Sequence, residues 1–120
     1  GNEMTILDFT EKEIKSLNYE FPLWESYELE PGTYPTQLET INTVASPNIL
    51  IVREDVPERV VYDMTKMLWE NLATLQEIHS ATASMSIESA LAGVTVPLHP
   101  GAYRYYEEQD VKIPEHLKIR

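Results

Sequence analysis

The chain has 120 residues, 42% of them hydrophobic and 24% charged, which fits one globular domain or a piece of a larger one and excludes a disordered composition. Lys and Arg number 9 against 20 Asp and Glu, and the formal charge of −11 repels phosphate backbones and anionic membrane surfaces, so nucleic acid is not an expected partner. The absence of cysteine excludes disulfides, thiolate chemistry and Cys-ligated metals, and no apolar run approaches the roughly 18 residues that span a bilayer.

The chain opens Gly-Asn-Glu rather than with Met, so an upstream segment is expected to have been removed. Residues 5–9, TILDF, read as a short strand, and Thr10 with Glu13 is a capping box for a helix through Leu17. Residues 18–42 carry no period; they hold a Pro-Gly turn at 31–32 and the aromatics Trp24 and Tyr27, in the manner of a functional or partner-covered loop. The apolar, β-branched tail of residues 43–52 predicts a strand buried on both faces, with Pro47 marking a bend, an edge or a change of partner. Asp55 and Glu58 then form a second capping box. The helical spacing of Val60, Val61, Met64, Met67, Leu68, Leu72, Leu75 and Ile78 predicts the longest helix over residues 55–78, of about five turns, buried along Val61, Met64, Leu68, Leu72 and Leu75. A further helix is expected with Ser84 or Ser86 as N-cap, Ile87, Ala90 and Leu91 inward and Gly93 as C-cap. In PLHPGAYRYYEEQ, Pro100 suits a first helical position, which places His99 at the N-cap or just before it, with its ring neutral. Tyr103 and Tyr106 should share a face while Tyr105 points elsewhere, and Pro114 should end or restart local structure.

The residues that carry most chemistries are scattered. His79, His99 and His116 form no HExxH pair, so no metal site is expected. The four glycines are too dispersed to cradle a phosphate or a dinucleotide, no GxSxG elbow exists, and neither catalytic residues nor cofactors are implied. Carboxylate pairs such as Glu28/Glu30, Glu54/Asp55 and Glu107/Glu108 are what 20 acids in 120 residues produce by chance. The chain is expected not to be an enzyme. Two strands rarely make an independently stable sheet, so the physical reading is a segment of a larger α/β protein.

GTYPTQ, then NTVASPNILIVREDVPERVVYDMTKMLWEN, then IESALAGVTVPLHPGAYRYYEEQ closely resemble the C-terminal third of the TAXI family, the solute-receptor subunits of TRAP transporters. The resemblance covers roughly residues 30–109; Thr36 stands where the family often has Gly, and Ser46 where it often has a small apolar residue. It implies an α/β fold, the C-terminal portion of a bilobal type II periplasmic-binding-protein fold, helix-rich with few strands. Residues 1–42 would then be a second-lobe strand, helix and loop, residues 43–54 the hinge strand, and residues 55–120 the C-terminal helices. It also implies a periplasmic or extracellular, membrane-associated receptor that hands a small organic anion, such as the dicarboxylates glutamate or 2-oxoglutarate, to membrane permease subunits and performs no reaction.

Such a receptor needs a cleft with a few polar groups. Tyr34, Gln37, Asn42 and Thr43 could supply hydroxyl and amide donors to a carboxylate, or could staple a turn by their own hydrogen bonds; the main anchors would lie in the missing N-terminal part. A fragment of this kind should self-associate, with its −11 charge adding repulsion towards an anionic solute. The other functional class is an acidic protein-interaction module that docks a partner through the Trp24/Tyr27 loop.

Overall fold

The computed structural model describes residues 5–119, so the Gly-Asn-Glu start and Arg120 lie outside the described residues. The chain divides into two compact units, Gly1–Asn48 and Ile49–Arg120. Each has its own logic.

In the first unit, α1 (Glu11–Glu20) starts at the predicted capping box. Thr10 accepts from the Glu13 amide, the Glu13 carboxylate takes the Thr10 amide, and the helix runs one turn beyond Leu17. Two strands follow, β1 (Glu25–Leu29) and β2 (Ile41–Ala45), antiparallel, with Tyr27 opposite Thr43 and Leu29 opposite Ile41. Three expectations need correction here. Residues 5–9 form no strand. The Asn42 amide donates to the Asp8 carboxylate at 2.7 Å and its carbonyl accepts from the Phe9 amide at 2.9 Å, so one side chain stands in for the backbone carbonyl that a ladder would need. β1 lies inside the stretch that carries no period, because Glu25, Ser26 and Glu28 hide the alternation of a strand exposed on both faces.

The third correction concerns residues 43–52. The strand ends at Ala45, before Pro47, and residues 46–53 have no regular structure. Leu50 and Ile51 are exposed, at 72% and 77%. A β-branched run gains its ladder only where a neighbour supplies donors and acceptors, and β2 pairs with β1 upstream of Pro47. The division between units falls at Asn48, within this run.

The second unit is helical. α2 (Glu58–Glu70) begins after Pro57, which makes no side-chain cap; Asp55 pairs instead with Arg53 at 2.6 Å, so the second capping box does not form. The long helix is broken at Asn71. Its side-chain amide donates to the Met67 carbonyl at 2.8 Å, the competition with helical bonding that favours Asn at helix ends, and α3 (Leu72–Ile78) continues from it. Residues 84–93 form successive turns rather than a helix, with bonds from Ala90 to Ile87, Ala92 to Ser89 and Val94 to Leu91. Ser86 does accept from the Ser89 amide, and Gly93 does end the run at φ 67°.

α4 (Pro100–Glu108) begins where expected and packs on α2. The packed face of α2 is rotated from the expected one. Val61 is buried, but Met64 is 46% exposed and Leu68 only half-buried. Tyr62 and Trp69, one heptad apart, hold α4 instead through edge-to-face contacts with Tyr105 and Tyr106, with ring centroids 5.9 and 6.4 Å apart. Tyr105 and Tyr106 are therefore both buried, whereas Tyr103 is half-buried. Leu117, fully buried, closes this core through a short helical turn after Pro114, and its carbonyl accepts from the Leu98 amide.

Because Leu68 is half-buried, Leu68→Ala should cost about 1–2 kcal/mol, below the 2–5 of a fully buried leucine. Chemical denaturation of the variant checks this; a loss above about 3 would place Leu68 in the core.

Candidate functional site

The loop between β1 and β2 is built on Gln37. Pro31 and Gly32 make the first turn, closed by the Thr33 amide on the Glu30 carbonyl, and Gly32 takes φ 82°, which a turn with Pro then Gly requires. The Gln37 side chain is buried. Its amide nitrogen donates to the Leu29 and Glu39 carbonyls, both at 2.9 Å, and its oxygen accepts from the Tyr34 amide at 3.4 Å. The Tyr34 ring is 43% exposed beside it. Asn42 and Thr43 are neighbours on β2 and so point to opposite faces of the hairpin, with Asn42 exposed and Thr43 half-buried. The structure thus gathers Tyr34 and Gln37 in one turn and divides Asn42 from Thr43. Gln37 spends its donors on the loop itself.

In the second unit His99 caps α4. Its Nδ1 accepts from the Gly101 amide at 3.2 Å, which leaves the proton on Nε2, and that nitrogen donates to the Val56 carbonyl at 2.9 Å. One neutral ring therefore fastens the start of α4 to the entry of α2. Gly101 sits against α2 so closely that a Cβ there would meet the Glu58 carbonyl oxygen and stand 2.5 Å from the Tyr62 amide nitrogen.

On the exposed side of the same helix pair, the Tyr62 hydroxyl donates to Glu108 at 2.5 Å, and Arg104 bonds Glu108 at 3.0 Å while lying 4.7 Å above the Tyr62 ring. The Tyr62 hydrogen bond, then Arg104, hold the Glu108 carboxyl below its usual value of 4.5, and the same hydrogen bond raises the Tyr62 phenol above 10.0. The stabilisation from Glu108 is therefore complete above pH 4.5 and is lost as pH falls through its lowered value. That from Tyr62 is complete below pH 10.0 and is lost as pH rises through its raised value. Glu108→Gln should flatten the acid limb of stability; melting curves from about pH 6 to about pH 3 that run parallel for the two proteins would remove this pair from the account.

A recess of about 400 Å³ opens in this unit between the end of α2, the start of α3, the turns near Ile87 and the outer side of α4. Trp69 and Tyr105 line it together with Glu70 and Glu88. Of these, only Tyr105 is singled out by the sequence; the signal available for the others was the Trp69–Glu70 pair at the end of an apolar helical stripe. Among the described residues no group of three His, Cys, Asp or Glu is placed to hold a metal ion, and no helix is long and apolar enough to cross a membrane.

The model of the NMT1-like family matches residues 1–109. The chain belongs to the NMT1-like family. This family is related to periplasmic solute-binding proteins, which are typically periplasmic or extracellular, and membership points to a solute-binding role. The NMT1-like match reaches across both units and ends at Gln109, the C-cap of α4. Its mixed α/β content, helices with a two-stranded antiparallel sheet among the described residues, is that of part of a binding-protein-like domain.

Proposed function

We propose that this NMT1-like chain is part of an extracytoplasmic solute receptor of the TAXI type, which binds a small organic anion and passes it to the permease subunits of a TRAP transporter. The observation that carries the reading is the family match over residues 1–109, joined to the GTYPTQ turn. In this reading the fold is bilobal, residues 43–54 pass through the hinge between the lobes, and the receptor performs no covalent step.

The turn contributes to the anion cleft through the exposed Tyr34 hydroxyl. Gln37 acts by holding Tyr34 in place, since its amide hydrogens are already bound to Leu29 and Glu39. Asn42 or Thr43 adds a donor according to which face of the hairpin lines the cleft. Glutamate and 2-oxoglutarate are the first solutes to test, because a hydroxyl and an amide are suited to a carboxylate. Stronger anchors come from outside these residues, for the net charge of −11 works against an anion. Exposed apolar residues such as Leu38, Leu50, Ile51 and Met67 supply surface for the remainder of the receptor or, without it, for a second copy.

The test is solute binding by the receptor extended through its upstream reading frame, with Tyr34→Phe beside it. Loss of one good hydrogen bond to a carboxylate costs about 1.5–3 kcal/mol, roughly tenfold to a hundredfold in affinity. Unchanged affinity in Tyr34→Phe would remove the turn from the cleft.

A further inference from the structure

The outer edge of β1 is open. Asn42 directs its backbone groups to the far side of β2, its amide to Asp8 and its carbonyl to the Phe9 amide. Glu28 lies opposite Asn42, so its own N–H and C=O point away from β2. Those of Ser26, two residues back on the same strand, do the same. Among the described residues no backbone group pairs with these four. Residues 8–9 thus cover β2 at Asn42, while β1 presents a free template for a further strand.

Charge decides which strand fits. Edges are commonly guarded by lysine, proline or a bulge, and β1 has none of these, only Glu25 and Glu28. From Ser16 to Val52 there is no Lys, Arg or His, against five glutamates, Glu20, Glu25, Glu28, Glu30 and Glu39. Among the described residues none of the five is in a salt bridge, whereas Lys15, Arg53, Arg59, Lys66, Arg104 and Lys118 each pair with an acid elsewhere. Aromatic surface lies beside these free carboxylates. Tyr27 shares a face of β1 with Glu25 and is 46% exposed, and Trp24, which adjoins the start of the strand, is 39% exposed. Such a surface suits a Lys or Arg side chain, whose apolar stem lies along the ring while its head meets the carboxylate.

We propose that the β1 edge receives an extended, basic segment of a partner protein as a third strand. The segment pairs through its backbone with Ser26 and Glu28 and sets lysines or arginines against Glu25 and Glu28. A second copy of this chain is disfavoured as the occupant, because it would bring five more unpaired glutamates to the same place. The site stands apart from the anion reading, since neither Tyr34 nor Gln37 takes part in it.

The probe is a blocked hexapeptide alternating lysine and valine, titrated into the 120-residue chain and followed through the Ser26 and Glu28 amide resonances. Saturable binding at about 1 mM or below is expected, with slowed hydrogen exchange at both amides. Glu25→Gln combined with Glu28→Gln should weaken it about fivefold or more, and so should about 0.5 M salt. Ser26→Pro removes only an outward N–H, which a sheet edge tolerates, and should weaken binding about tenfold. The same peptide N-methylated at every amide keeps its charge but cannot donate to the ladder, and should lose as much without any change to the chain. Equal binding of the N-methylated peptide or of a glutamate–valine counterpart would overturn the proposal, as would indifference to the double glutamine variant. So would Ser26 and Glu28 amides already protected from exchange without peptide. Protection in the chain extended upstream would give the edge to the rest of the receptor, and protection in a dimer seen by sedimentation would give it to a second copy.

Discussion

Gly101→Ala is expected to be the most damaging small substitution in the chain. Alanine is the better helix former by about 1 kcal/mol, so if α4 were an isolated helix the change would stabilise it. Gly101 instead marks the place where α4 touches α2 backbone to backbone. The new methyl would meet the Glu58 carbonyl oxygen, lie 2.5 Å from the Tyr62 amide nitrogen and 3.0 Å from the Val61 Cβ. None of the three can be moved aside by turning a flexible side chain, so the helices must separate. Separation pulls apart the Tyr62–Tyr105 and Trp69–Tyr106 contacts and the His99 bond to Val56 together. A loss of about 3 kcal/mol or more follows, enough to unfold a unit of this size. Denaturant unfolding read through Tyr and Trp fluorescence decides it. A stabilised Gly101→Ala protein would mean that α4 does not pack on α2 as described.

The second large effect is Gln37→Leu. Leucine is close to glutamine in size and more apolar, so burial alone would favour it. However, the Gln37 amide is the donor for two carbonyls, Leu29 and Glu39, and its oxygen takes the Tyr34 amide. Each buried group left without a partner costs about 1–3 kcal/mol, so a loss of about 2–4 is expected in total. A two-stranded sheet has little reserve with which to absorb it. Hydrogen exchange at β1 amides should accelerate while that at α2 amides does not, because the two lie in different units. The variant also separates the two roles open to this residue. A ligand contact predicts changed affinity with an intact turn; the observed bonding predicts a melted turn.

Local signals were legible in the sequence and long-range ones were not. The Thr10–Glu13 box and the His99–Pro100 start are decided within three or four residues, and both stand as read. Asp55 and Glu58 have the same pattern, yet Arg53 claims Asp55 through a bidentate contact that a spacing rule does not see. Residues 48–52, Asn-Ile-Leu-Ile-Val, look like a strand because their side chains suit one; whether a ladder forms depends on a neighbour, and β2 ends before Pro47. The packed face of α2 differs from the one its spacing suggests for a related reason. Its apolar residues cover more of the helix than α4 can, and the choice among them was made by Tyr105 and Tyr106 from 37 or more positions away. At the candidate site, the turn chemistry of Pro31–Gly32 was readable, but that Gln37 faces inward and Tyr34 outward was not.

The claim that this chain provides one side of an organic-anion receptor is tested most directly by thermal-shift titration with glutamate and 2-oxoglutarate. Two forms are compared, the 120 residues alone and the same chain extended through its upstream reading frame. A ligand that binds the native state at a hundred times its Kd stabilises it by about 2.7 kcal/mol, so saturation is easily seen. Half a cleft leaves the anion in water and recovers too little to offset the lost translational freedom. The account predicts saturable stabilisation of the extended form by one of the two anions and none of the 120-residue form up to millimolar concentration. Saturable stabilisation of the 120-residue monomer, or an extended form that responds to neither anion, would contradict it.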